Sequence, residues 1–454
     1  MEEHKVINNE ITEGVIWKQL LSFFYPILLG TFFQQLYNSI DAIVIGRFVG
    51  KEALAAISGS ASTLVNLLLG FFIGLSCGAT VLISQAYGAK DTRGIRNGIH
   101  TAMAVSLIIG ALFTVLGILF APYLLQLTNA PKDTIQDSIL YMDIIFGGIL
   151  ASILYNTCSG IMRALGDSKR PFYYLMTGCV LNIILDLILV AVIPFGVFGA
   201  GIATILSQLV TAVLLMRKLM QQDEKYCLQL RHIRLERQTL HKMMIIGLPA
   251  GLQSVMYSIS NLIIQASINS FGTDTVAAWG VYGKVDGIFW MVMSALGVSI
   301  TTFVGQNYGA RKISRVKKST RICMGIAIVI TFSMSTVLYL FAGIIFGIFT
   351  KDPNVIQIGI QMMHFLTPTY ITYISIEILS GSIRGTGNTF LPTVITFVGI
   401  CFLRVLWIFL ITTTHLTLEG VMFSYPLTWV VTSVAFIVYY RYFIRKMEGA
   451  NSLL

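Results

Sequence analysis

Asp41 and Asp186 are carboxylates set in runs that otherwise carry apolar residues. The first closes the stretch QQLYNSID, residues 34–41, and the second lies in CVLNIILDLILV, residues 179–190. A carboxylate in a membrane helix costs roughly 2.5–3.5 kcal/mol on insertion scales, so it reads as functional by default. Gln34, Asn38 and Asp41 recur at i, i+4 and i+7 and share one helix face, as do Asn182 and Asp186 at i, i+4. At the helical rise per residue, Asp41 lies roughly 9 Å inside the boundary marked by Arg47, and Asp186 roughly 12 Å inside Pro194. Thr204, eight residues past Gly196, falls at roughly 12 Å too. Three helices thus bring polar groups to one level. Two chemistries fit. Neighbouring carboxylates repel, so the pair holds a proton; or the oxygens of Asp41, Asn182, Asp186 and Thr204 ligate a small hard cation such as Na⁺. The plainer alternative is a set of helix–helix hydrogen bonds, with Asp41 reaching interfacial water from a helix end.

The rest of the chain supplies the membrane helices that such residues need. Its 454 residues are 55% hydrophobic and only 11% charged, with mean hydropathy +0.77. Soluble domains carry about 25% charged residues, so this is an all-α integral membrane protein. The net charge of +10 belongs to loops beside anionic lipid rather than to a nucleic-acid surface. Six cysteines without CxxC spacing indicate neither a disulfide framework nor a zinc site. The first apolar run, from Ile16, contains Pro26 and is followed by many more, which does not resemble a cleavable signal peptide.

Twelve spans are expected, at 16–46, 53–86, 97–120, 134–162, 171–193, 197–217, 240–270, 275–306, 320–346, 355–383, 392–412 and 419–441. Of the 31 Lys and Arg residues, 25 fall on the side of the termini and even-numbered loops. Four fall on the other side (Arg47, Lys51, Lys132 and Lys351), while Lys284 and Arg404 lie within spans. This split puts both termini in the cytoplasm.

The sequence also repeats. QAYGAK, residues 85–90, returns as QNYGAR, residues 306–311; Gly160, Arg163, Gly166 and Pro171 return as Gly381, Arg384, Gly387 and Pro392. Pro26 returns as Pro249. The domains read as an N-terminal six-helix lobe over 1–218, a cytoplasmic linker over 219–239 and a C-terminal six-helix lobe over 240–454. An even number of spans per half makes the repeats parallel, related by a pseudo-two-fold axis along the membrane normal. Two such lobes enclose a cavity, and rocking one against the other gives alternating access.

The second half carries Lys284, Asp286, Glu377 and Arg404 within spans, read chiefly as structural ion pairs. Otherwise Asp286 or Glu377 would bind a cationic substrate, beside Gln34 and Asn38 of the first half and the stripe of Gln253 and Tyr257. Aromatic and Met residues around Tyr282 and Trp290 suit promiscuous cation binding, although such stripes more often pack. Pro26, fifteen residues before Asp41, permits a bend in the helix that carries the acid. Asp143 has no evident partner. No enzyme signature is present: His364 and His415 are isolated and there is no HExxH.

Taken together, the two six-helix halves, Asp41 on the first helix, N-x-x-x-D on the fifth, the paired Q-x-Y-G-A-[KR] segments and the R-x-x-G turns resemble the multidrug and toxic compound extrusion (MATE) family. The similarity runs from about Ile16 to Arg445. It implies a secondary active antiporter that exports cationic amphipathic compounds in exchange for inward H⁺ or Na⁺, working as a monomer in a bacterial cytoplasmic membrane without a cofactor. Asp41, Asn182, Asp186 and Thr204 match the family's first-lobe cation site. The seventh helix, unlike that of the NorM-like branch, carries no acid, which favours the DinF-like branch. The nearest alternative is a flippase for lipid-linked saccharides. An anionic headgroup would call for several intramembrane Arg or Lys, against the two found here.

Overall fold

The computed structural model describes residues 10–128, 133–414 and 417–451; Lys5, Lys132 and His415 lie outside the described residues. Among these the chain is helical, in twelve segments of which eleven are long and apolar enough to cross a membrane and the tenth is broken. In order they are α1 (Ile16–Phe48), α2 (Ser60–Gly88), α3 (Thr92–Leu127), α4 (Ile135–Ala164), α5 (Lys169–Asp186, continuing as a π-helical turn over Leu187–Val192) and α6 (Gly196–Met220). Then come α7 (Arg237–Asn269), α8 (Thr273–Gly309), α9 (Ile313–Leu340), a broken α10, α11 (Phe390–Thr396, a π-helical turn Phe397–Phe402, then Leu403–Thr414) and α12 (Leu418–Asn451).

The tenth segment, expected as one span over 355–383, is two helices, Pro353–Leu366 and Tyr370–Gly385, joined by a 3-10 turn at Thr367–Thr369. Pro368 has no N–H to donate and its ring clashes with the preceding turn, so the regular helix stops there. Neither piece alone reaches the about 20 residues that a bilayer requires; in sequence they do. The second segment likewise opens with a short helix, Lys51–Ser58, that breaks at Gly59 before α2.

Both repeated motifs turn out to be helix stops. In each Q-x-Y-G-A-[KR] segment the last residue is left-handed, with φ 58° at Lys90 and at Arg311. The Lys90 amide donates to Tyr87 and the Asp91 amide to Ala86; Arg311 donates to Tyr308 and Lys312 to Asn307. These paired bonds define the Schellman cap, which satisfies the last carbonyls of a helix. The R-x-x-G turn at Gly166 makes the same pair of bonds, and Gly387 donates to Arg384; both glycines sit at φ 91° and meet the left-handed requirement without strain.

Two compact units divide the chain. One holds residues 22–251; the other holds the described residues before Ser22 together with those from Leu252 onward. Each boundary therefore falls inside a helix, α1 or α7, a few residues from Pro26 or Pro249. Pro26 deprives the Ser22 carbonyl of its helical donor, so the first boundary coincides with a weakened turn.

Within the first unit, the start of α7 is bound to α2 by two facing glycine pairs, Gly74 with Gly78 and Gly247 with Gly251. A Cβ on Gly74 would lie 2.6 Å from the Ala250 carbonyl oxygen, and one on Gly251 would lie 2.8 Å from that of Phe71. Such small-xxx-small contacts let helix backbones touch where lipid offers no hydrophobic drive.

Candidate functional site

Asp41 is 8% exposed and Asp186 fully buried. Asp41 lies one turn beyond the buried Tyr37 on α1. Asp186 is the last residue of the regular part of α5, and the backbone turns π-helical at the next residue. Single π-turns are frequent at functional sites, and α11 carries one too, at Phe397–Phe402. The two carboxyls act directly on each other, close enough to repel when both are ionised and to share a hydrogen bond when a proton lies between them.

Asn182 lies one turn earlier on α5, and Thr204 comes from α6, which packs along α5. The structure thus puts Asp41 and Asp186 in direct interaction and places Asn182 and Thr204 on the packed pair α5 and α6. Buried polar atoms of these four residues have no hydrogen-bond partner among the described residues: Oδ1 of Asp41, both oxygens of Asp186, both amide atoms of Asn182 and the hydroxyl of Thr204. A buried polar group left unbonded costs about 1–3 kcal/mol, so a cluster of them is a poor structural element and a good receptor. All but one of these atoms are oxygens, which suits a proton between carboxylates or a hard cation such as Na⁺. Val44, Ile45, Ile57, Val190 and Val197, from the same helices and the short helix before α2, form an apolar cluster with Tyr141 packed against it.

A cavity of about 220 Å³ opens in the same unit. Asn182 lines it, so one residue serves both the carboxylate group and the cavity. Gln34, expected to line a substrate path, does so; Asn38 is exposed and lies outside the lining. The sequence reading did not single out the other side-chain amides there, Asn66, Asn156 and Gln208. Gln208 shares a hydrogen bond with Tyr37 and accepts another from Ser152. Nothing in their spacing marks these residues; they become evident only once α1, α2, α4, α5 and α6 are assembled.

The second unit differs at the equivalent positions. Ile264, the repeat counterpart of Asp41, is buried in an apolar cluster with Ile268, Ile408 and Val421, flanked by Trp279 and Trp407. Asp286 sits in an aromatic cage, accepting from the Tyr370 hydroxyl at 2.7 Å, the Trp290 indole at 2.7 Å and the Tyr282 hydroxyl at 3.3 Å. Phe289 stacks on Tyr370 at 4.1 Å, so the aromatic residues of α8 form packed core here.

Glu377 accepts from Tyr373, which also bonds Tyr257, and it occupies the space left by the missing side chain of Gly297. Arg404 is 3% exposed, lies 4.3 Å over the Tyr425 ring and donates to Asn261 at 3.4 Å. The expected ion pairs give way to this arrangement: Asp286 is held by neutral hydroxyls and an indole, and it attracts Arg404 only at longer range. Gln253 is half-buried, and Lys284 is exposed, its ammonium 5.7 Å from the Phe349 ring. Asp143 has one buried, unbonded oxygen, and nothing in the structure explains it.

Among known proteins, the family model MatE matches this chain twice, over residues 26–188 and 249–410. The chain is 27% identical to "Probable multidrug resistance protein YoeA" of Bacillus subtilis (strain 168), with 98% of each chain covered. It is 26% identical to an "FAD transporter" of Shewanella oneidensis, over 75% of this chain and 76% of that one. A solved structure described as "MATE in the bent conformation" superposes with TM-score 0.91 at 23% identity, covering 98% of both chains.

Proposed function

The chain belongs to the MatE family of multi-pass membrane transporters, and from that premise we propose that it is a secondary active antiporter. It exports amphipathic compounds in exchange for inward H⁺ or Na⁺, by rocking one lobe against the other in a bacterial cytoplasmic membrane with both termini inside. The observation that carries this reading is the group of Asp41, Asn182, Asp186 and Thr204, whose buried oxygens lack protein partners. A proton or Na⁺ entering it removes the repulsion between two carboxylates and ties α1 to α5. Asn182 then transmits the change to the cavity that it also lines. Pro26 is the point at which α1 bends in response, and the similar MATE protein solved in a bent conformation is consistent with such a bend.

For a compound that carries positive charge, the nearest acids are those of the coupling group itself, so ion and substrate compete for the same carboxylates. One observation favours a second class of cargo. The cavity lining holds five side-chain amides and no charged residue, which suits a neutral, planar, hydrogen-bonding compound. A relative named as an FAD transporter shares the planar, hydrogen-bonding part of that chemistry, while the pyrophosphate of FAD has no cationic partner in this lining.

Proteoliposomes separate these possibilities. Ethidium and a flavin are loaded in turn, and efflux is followed under an imposed pH gradient or an imposed Na⁺ gradient. Efflux driven by one gradient identifies the coupling ion, and the compound that moves identifies the cargo class. Efflux that neither gradient accelerates removes the antiporter reading.

A further inference from the structure

The segment between α6 and α7 is not a loose tether. Leu228 is 1% exposed and its amide donates to Leu219. From there the strand of chain lies against the first turns of α3, held by two consecutive residues. Thr101 donates to the Arg234 carbonyl at 3.5 Å and accepts from the Glu236 amide at 3.3 Å. His100, 3% exposed, has Nδ1 at 2.7 Å from the Arg96 carbonyl and Nε2 at 3.1 Å from the Gln229 amide.

Those two bonds fix the state of the ring. A carbonyl only accepts, so Nδ1 carries the hydrogen; a backbone N–H only donates, so Nε2 presents its lone pair. The imidazole is therefore neutral in this arrangement. A second proton would sit on Nε2 and face the Gln229 N–H, donor against donor. The groups that face the ring are Arg96, from its own helix, and His232, from the strap, whose ring lies 6.3 Å away. Arg96 adds positive charge beside an imidazolium.

We propose that His100 is a pH-sensitive peg for the strap formed by residues 226–236: the neutral ring holds the Gln229 amide, and protonation releases it. The strap runs directly into α7, so loss of this bond loosens the chain ahead of Arg237 while the glycine contacts with α2 still hold the helix. This inference goes beyond the antiport reading and does not depend on which ion or compound crosses the membrane.

The test is hydrogen–deuterium exchange of peptides within 226–236, on the full chain in lipid nanodiscs, corrected for the intrinsic pH dependence of amide exchange. In the wild type, corrected protection should fall about tenfold between pH 8 and pH 5.5, the loss of one hydrogen bond. His100→Gln keeps a side-chain acceptor that does not titrate, so its protection should be flat with pH. His100→Lys carries a permanent charge, so its strap should exchange fast already at pH 8. Thr101→Val should loosen the strap by the same factor at every pH. Wild-type protection that is independent of pH overturns the proposal. So does a pH response that survives in His100→Gln, or one that disappears in His232→Gln while His100 is intact. Should His100→Gln fail to fold, the wild-type profile and the His232→Gln profile still decide.

Discussion

Asp41 and Asp186 are poor residues for stability and good ones for binding. Each is buried, and between them they leave three oxygens without a protein donor. Replacing either by Asn removes a like-charge contact while preserving shape. Asp41→Asn and Asp186→Asn should therefore keep or raise thermal stability, by about 1 kcal/mol, and abolish gradient-driven efflux. Thermal unfolding in detergent and vesicle efflux report the two halves of that statement. Loss of fold in both variants would make the carboxylates structural. At the same scale, Glu236 caps α7, where the hydroxyl and the amide of Thr239 hold its carboxyl below the usual range. A lowered folded pKa means that the cap's contribution is present above the ordinary glutamate range and is lost as pH falls through the lowered value. Amide exchange at Gln238 and Thr239 should accelerate only in that acid window, and Glu236→Gln should weaken the cap at neutral pH. The carboxylates were legible in the sequence because an acid in an apolar run is conspicuous. The amides of Asn66, Asn156 and Gln208 were not, because an uncharged polar residue in a membrane helix is common and has no partner until the helices are packed.

The helices were legible from apolar length alone, and their departures from regularity were not. The motifs that betray the repeat proved to be Schellman caps, so their recurrence reflects helix termination rather than chemistry. Lys90 and Arg311 tolerate a left-handed backbone at a strain of about 1 kcal/mol each. Lys90→Gly and Arg311→Gly should thus raise the melting temperature slightly, whereas Gly166→Ala should lower it, at a stability loss of about 1 kcal/mol or more. The reverse order of effects would show that the side chains, not the turns, matter there. The facing glycines of α2 and α7 make a sharper case. Gly251→Leu would drive a side chain into the Phe71 carbonyl, a clash between backbones that no rotamer relieves. Overpacking of this kind costs about 1–3 kcal/mol, and more where backbone must shift. Protein recovered from the membrane fraction should drop accordingly; a Gly251→Leu variant as stable as wild type would argue against the close crossing. G-x-x-x-G spacing recurs along the chain, and only the fold reveals that the pair Gly74 and Gly78 faces the pair Gly247 and Gly251.

On the scale of the molecule, a near-symmetric repeat carries an asymmetric function. The first unit holds the interacting pair Asp41 and Asp186; the second has Ile264 at the counterpart of Asp41, in an apolar cluster, and a caged Asp286 elsewhere. The repeat could be read from matching residues at nearly constant offset, and its parallel sense from the even number of spans per half. The boundaries of the contact units could not, because they fall within α1 and α7 rather than at the linker. They fall near Pro26 and Pro249, where a missing hydrogen bond weakens the helix. Pro26→Ala restores that bond to Ser22 and should slow gradient-driven turnover by about tenfold without unfolding the protein, a barrier increase of about 1.4 kcal/mol. Unchanged turnover and unchanged pH dependence would remove the hinge from the mechanism. The central claim is that the carboxylate pair couples an inward ion to outward cargo. It is tested most directly by substrate efflux from proteoliposomes, comparing wild type, Asp41→Asn and Asp186→Asn under a pH gradient and, separately, a Na⁺ gradient. The account predicts that one gradient drives efflux by the wild type and neither drives it through the folded variants. Full gradient-driven efflux through both variants would contradict it.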